Sequence, residues 1–157
     1  MPAPAEVQAA TIDKFIEGWG TNNPEAWVEL WTNDCTNKIL PFSLNAPPMS
    51  KDTVVSKALP KLFGNLTNWK LQVYDVVHDT KKSKAAIYAT SKADTPFGDF
   101  KWANEYAAFV TLTEDGKQIS KIEEMVDTAF FAEMDRQGAA HAAAAAAAAN
   151  PTTTVSA

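Results

Sequence analysis

Two adjacent acids, Glu123 and Glu124, interrupt an otherwise largely apolar run from Ile119 to Val126. The run reads as a strand, and neighbouring strand side chains point to opposite faces, so one of the two acids faces the interior. A carboxylate on a buried face is costly unless it is paired or put to use. Apolar surroundings raise its pKa, and a carboxyl group tuned in that way serves as a base or acid near neutral pH. Asn104 and Tyr106 lie on the preceding strand, and both side chains can donate hydrogen bonds to a developing enolate oxygen. Asp127 closes the same stretch as a further candidate acid, with capping of the next helix as its competing role.

The turn at Asp115-Gly116 decides which acid faces inward, because it sets the register of the last two strands. A tight two-residue turn pairs Leu112 with Ile119 and Ala108 with Glu123. Lys121, Glu123 and Asp127 then share a face with Tyr106, Ala108, Val110 and Leu112. A three-residue turn with a bulge pairs Val110 with Ile122 and Ala108 with Glu124. This second register keeps one face mostly apolar, so it is preferred, and Glu124 becomes the inward acid beside Tyr106 and Asn104.

The elements that position these residues follow from periodicity. A first helix, roughly Glu6 to Gly18, carries Ile12, Phe15, Ile16 and Trp19 on one stripe. Asn23-Pro24-Glu25 opens a short second helix with Trp27, Leu30 and Trp31 on one side. Residues 36–44 read as a short strand that runs into a loop stiffened by Pro47 and Pro48. Ser50 caps a third helix that Gly64 ends and Pro60 kinks. From Trp69 the period changes to two, giving strands to Val77, at 85–93, at 102–113 and at 118–128. A short final helix covers 130–136. Residues 138–157 are low complexity, with eight consecutive alanines from Ala142, and are expected to form a frayed or disordered tail. The competing reading is a tail that covers a pocket on its own or a neighbouring subunit, taking His141 with it.

Composition limits the function classes. A 157-residue chain with 46% hydrophobic residues is one domain, 1–137, plus the tail. A formal charge of −5 argues against nucleic acid, and no stretch reaches the length of a membrane span. Arg136 is the sole arginine, so an arginine clamp on phosphate or carboxylate is not expected. Cys35 is the sole cysteine and no secretory signal stands at the start, which points to a reducing, cytoplasmic location. The two histidines rule out a histidine-rich metal site. His78 stands beside Asp79 at a strand end, a ligand-contact candidate that competes with a plain exposed histidine. Trp27 or Trp31 is expected at a pocket mouth, with Phe42, Leu44 and Met49 on the proline-bearing loop as its lid. Such an aromatic pocket suits a small, flat, apolar ligand.

Helices followed by a strand meander define an α+β domain with helices on one side of a curved antiparallel sheet. The arrangement resembles the nuclear-transport-factor-2-like cone and, within it, the SnoaL-like polyketide cyclases, which implies a cone-shaped curved antiparallel sheet with three N-terminal helices packed on its concave face. The resemblance is carried by Phe15-Ile16-x-x-Trp19, Pro24-x-x-Trp27-x-x-Leu30-Trp31 and the closing strand from Asp115-Gly116 to Val126-Asp127. Asn104-Glu105-Tyr106 is similar to small fungal isomerases and cyclases of terpenoid and polyketide pathways. The resemblance implies a deep pocket for a hydrophobic small molecule and a homodimer formed through the outer sheet face. It also implies cofactor-independent isomerase or cyclase chemistry, with Glu124 moving a proton and Tyr106 and Asn104 steadying an oxyanion. A binding module without chemistry, or a dimeric interaction module, is the alternative, since fold does not fix function.

Overall fold

The computed structural model describes residues 1–149. Helix α1 (Ala5–Trp19) buries Ile12, Phe15 and Trp19, the stripe expected from the sequence. The Asn23 side chain accepts the Glu25 N–H at 3.0 Å and starts α2 (Pro24–Val28). That helix is shorter than its apolar spacing suggests. Trp31 belongs instead to β1 (Trp31–Leu40), where it pairs with Ile119, and the Ile119 N–H bonds the Leu30 carbonyl at 2.8 Å. A long-range strand partner there outweighs local helical periodicity. The expected strand at 36–44 thus begins earlier and ends at Leu40, before a short 3-10 turn, Phe42–Leu44.

After β2 (Met49–Ser50), Ser50 caps a helical run built of α3 (Lys51–Thr53), a π-helical turn (Val54–Ala58) and α4 (Leu59–Phe63). Pro60 was expected to kink this run. It sits at the start of α4, directly after the widened turn, which closes with the Leu59 N–H on the Val54 carbonyl, so the run changes its winding at the proline. Four long strands follow: β3 (Thr67–Asp79), β4 (Lys84–Asp94), β5 (Lys101–Leu112) and β6 (Ile119–Val126).

The sheet order is β2-β1-β6-β5-β4-β3. Its pairings are antiparallel except β1 with β6, which is parallel and departs from the all-antiparallel expectation. Register shifts in β1, β3 and at Thr111/Leu112 add curvature, and the three N-terminal helical segments pack on the concave side. β5 and β6 take the preferred register, with Val110 opposite Ile122 and Ala108 opposite Glu124. The turn is longer than expected, spanning 114–117 inside a Thr113–Gln118 pair, yet the bulge restores the same facing.

Helix α1 ties two hairpin turns together. Thr11 Oγ1 donates to the Gly116 carbonyl at 2.6 Å, and buried Gln8 Nε2 donates to the Thr80 carbonyl at 3.0 Å. The tail expectation is corrected over its first part: α5 (Thr128–Ala149) continues through the alanine run. Alanine is the strongest helix former, and a helix already nucleated by the packed Phe130 and Phe131 extends at little further cost. Residues 150–157 lie outside the described residues. No described helix is long and apolar enough to cross a membrane.

Gly18 allows α1 to rest directly on α2, since a Cβ there would overlap the Ala26 carbonyl oxygen. Gly18→Ala is expected to cost about 2–3 kcal/mol of stability in urea unfolding. A cost near zero would mean that the two helices do not approach as described.

Candidate active site

The concave side is not filled by its helices. A cavity of about 890 Å³ remains between them, the sheet and α5. Asn37, Ile39, Glu124, Val126, Tyr106 and Trp102 form its sheet wall. Trp19, Trp27, Leu59 and Phe63 close it on the helical side, Trp69 of β3 adds to the sheet wall, and Leu44 and Met49 edge it from the 3-10 turn and β2. Phe131, Met134, Asp135 and Gly138 of α5 complete it.

The common face follows from register. β1 and β6 pair Ile39 with Glu124, and β5 and β6 pair Tyr106 with Val126, so alternate positions of three adjacent strands look into one space. Glu124 is buried, and its described hydrogen-bond partner is neutral: Asn37 Nδ2 donates to Glu124 Oε2 at 3.1 Å. No described ion pair reaches it. Burial therefore pushes the Glu124 pKa up, and the Asn37 bond only partly offsets this. Glu123, on the other face, pairs with Lys121 at 3.0 Å.

Tyr106 stands with its ring 5.1 Å from that of Trp19, edge to face, and its hydroxyl 2.8 Å from Ser91 Oγ. Burial drives its pKa up to about 12, with the Ser91 bond acting against the shift, so it remains a neutral donor at physiological pH. A raised-pKa carboxyl and a neutral phenol on one apolar wall can together move a proton and hold an oxygen that gains charge.

The cavity thus takes in Glu124, Tyr106, Trp27, Leu44 and Met49 from the sequence candidates, and the others lie elsewhere. Asn104 is buried outside the cavity wall, with its Oδ1 accepting the Asp127 N–H at 3.2 Å. Asp127 caps α5 by accepting the Ala129 and Phe130 N–H groups at 3.0 and 3.1 Å. Trp31 is core, packed on Trp27 at 5.3 Å, because its strand pairing turns it under the helices. Phe42 is 71% exposed, with Lys38 over its ring, since the 3-10 turn points it to solvent. His78 is exposed on β3, at the far edge of the sheet from β1.

Cys35 is a poor nucleophile: burial pushes its thiol up to about 12. His141 rests on Phe97 at 5.4 Å. Among the described residues no three His, Cys, Asp or Glu side chains stand close enough to hold a metal ion. Sequence reasoning missed Asn37 and Ser91. The readable signal was a lone polar residue in an inward row: Asn37 between Cys35 and Ile39, and Ser91 between Ala89 and Ala93. The part of α5 that lines the cavity includes Gly138 and Ala139, the start of the stretch that the competing reading of the tail set over a pocket.

No protein-family model matches the chain. It is 65% identical over 133 residues to Monooxygenase dmxR10 of Cryptosporiopsis sp. (strain 8999), covering 85% of this chain and 88% of the relative. The chain belongs to the dmxR10-like family of fungal proteins. Other members of that family include Monooxygenase nsrQ of Aspergillus novofumigatus (strain IBT 16806), at 47% identity over 85% of this chain and 86% of nsrQ. An Ergochrome gene cluster protein of Claviceps purpurea (strain 20.1) is 45% identical over 86% of both chains.

Solved structures show that this chain has the SnoaL-like, nuclear-transport-factor-2-like fold. BvnE pinacolase from Penicillium brevicompactum superposes with a TM-score of 0.80 at 20% identity, over 87% of this chain and 93% of BvnE. A protein described as a SnoaL-like polyketide cyclase, from Shewanella denitrificans OS-217, does so at 0.65 and 5% identity, over 81% of this chain and 95% of that one.

Glu124 gives the site a pH signature. An acid held above its ordinary value of 4.5 stabilises the fold fully below that value, and the contribution is lost as pH rises through the raised pKa. Glu124→Gln keeps an acceptor for Asn37 without the charge. In urea unfolding between pH 4 and pH 8, its stability relative to the native chain is expected to climb with pH and then level off. A difference independent of pH would place Glu124 in a solvated or charge-paired setting.

Proposed function

We propose that this protein is an enzyme that moves a proton on a flat, oxygenated, polyketide-like molecule bound in the cone cavity. Glu124 takes a proton from a carbon next to a carbonyl, and the Tyr106 hydroxyl holds the enolate oxygen that results. Returning the proton at another carbon isomerises the substrate, and attack of the enolate on a second carbonyl closes a ring. Asn37 keeps the carboxyl in place without neutralising it. The observation that carries this reading is the buried Glu124 carboxyl, held by one neutral partner in the wall of a large aromatic cavity. An acid kept for structure alone is more economically paired with a cation or left in water.

Hydrogen–deuterium exchange at the acidic carbon of a hydroxyanthrone, followed by NMR, reads the proton step directly. Glu124→Gln is expected to slow protein-dependent exchange roughly 10²- to 10⁴-fold while ligand affinity stays within a few-fold. Binding without any protein-dependent exchange, in native and variant protein alike, would support a ligand-binding module in place of an enzyme.

The names of the relatives favour a second outcome for the same first step, since dmxR10 and nsrQ are both called monooxygenases. An electron-rich enolate can pass one electron to dioxygen, and recombination gives a carbon-bound hydroperoxide. Loss of water then leaves a ketone, so that CH₂ and O₂ become C=O and H₂O with no other reductant. Under ¹⁸O₂, the oxygenase outcome puts one labelled atom in the product and one in water, and Glu124→Gln suppresses both. Unlabelled product formed at the same rate under argon assigns the chain to isomerisation or cyclisation.

A further inference from the structure

We infer that Trp102 and Ser91 form a one-way hydrogen-bond relay that leaves the Tyr106 hydroxyl proton unspent, so that the cavity selects ligands presenting a carbonyl or phenol oxygen. The inference rests on the reading of the cavity as a ligand site, and it assigns work to two residues outside the proton step.

β4 turns Ala85, Ile87, Ala89, Ser91 and Ala93 inward, and Ser91 alone in that row is polar. It pairs with Asn104, which places it between Trp102 and Tyr106 on the neighbouring strand. Trp102 Nε1 donates to Ser91 Oγ at 2.7 Å, and Ser91 Oγ stands 2.8 Å from the Tyr106 hydroxyl. Ser91 and Trp102 are each 1% exposed.

Counting protons fixes the direction. An indole N–H only donates, whereas a hydroxyl has one proton and two acceptor positions. Ser91 therefore accepts from Trp102 and must place its own proton. Were Tyr106 also to donate to it, that proton would be buried with no acceptor among its described partners, at a cost such groups rarely carry. Asn104 does not relieve this, since its Oδ1 is engaged by the Asp127 N–H and its unpaired Nδ2 is another donor. With Ser91 donating to the Tyr106 oxygen, the Ser91 proton is placed and one proton remains, on Tyr106.

Tyr106 lines the cavity beside Glu124, and the side chains that reach its hydroxyl, Ser91 first and then Asn104 and Trp102, all hold its pKa down as donors do. Its proton is thus available to an acceptor inside the cavity. Each donation in the chain polarises the next, so the terminal O–H is a stronger donor than an isolated phenol. Ser91 is a positioning residue on this account, Trp102 contributes its ring to the cavity wall and its N–H to Ser91, and Tyr106 alone of the three donates to the ligand.

The test uses the full chain and two kinds of probe, 2-naphthols of graded acidity and 2-methylnaphthalene, with affinities from fluorescence titration. Ser91→Ala and Tyr106→Phe are each expected to lose about tenfold for the naphthols and nothing for 2-methylnaphthalene. Ser91→Ala should also flatten the dependence of affinity on naphthol acidity, and Ser91→Thr should restore it. Native-like naphthol affinity in Ser91→Ala overturns the relay. So does an equal loss for both kinds of probe, which would mean that Ser91 only shapes the cavity. The assay does not read proton transfer. Intact naphthol selectivity without Glu124-dependent exchange therefore counts against the function proposed above and leaves the relay standing.

Discussion

The cost of burying the Glu124 carboxyl is the constraint around which the structure is organised. A charge taken out of water must be paired, neutralised or hydrogen-bonded. Here the chain supplies one neutral amide, Asn37, from a strand 87 residues away in sequence. The parallel pairing of β1 with β6 makes that contact possible, because it sets Asn37 and Ile39 in one inward row beside Glu124. A cation in place of Asn37 would hold the acid ionised. An aliphatic side chain there would leave it with no partner at all.

The cavity exists because aromatic rings brace the helices away from the sheet. Trp19 meets Tyr106 edge to face, Phe63 meets Trp69, and Trp102 is gripped by Phe130 and Phe131. These contacts gain the burial energy of a core while keeping the layers apart. Polar bonds serve the same end at the periphery. Thr11 and Gln8 fasten α1 to two turns, and Asn104 and Asp127 fix where α5 leaves the sheet. Asn104 and Asp127, which sequence reasoning placed in the chemistry, hold hydrogen bonds at the start of α5, while Ser91, outside the cavity wall, meets the site through Tyr106.

Much of this was legible in the chain before folding was considered. The inward stripe of α1, the Asn23 and Ser50 caps and the four long strands follow from local periodicity and turn chemistry. So does the choice of Glu124 over Glu123. The alternative register would have buried Lys121, Glu123 and Asp127 against an apolar row, and that penalty is calculable without coordinates. Asn37 and Ser91 were half legible, since each is a lone polar residue in an apolar row, a pattern that marks a buried partner without naming it.

Tertiary structure alone decided the rest. Trp31 continues a helical stripe in sequence, yet a strand partner 88 positions away claims it for β1. Phe42 reads as a pocket lid, and a 3-10 turn carries it out to solvent. The alanine run reads as a tail with nothing to pack, and a helix nucleated by Phe130 and Phe131 extends through it to Ala149. The physical reason is common to all three. Periodicity and burial cost are properties of neighbouring residues, so sequence determines which side chains must be inward. Which inward groups meet depends on contacts between distant segments, and only the packed chain fixes those.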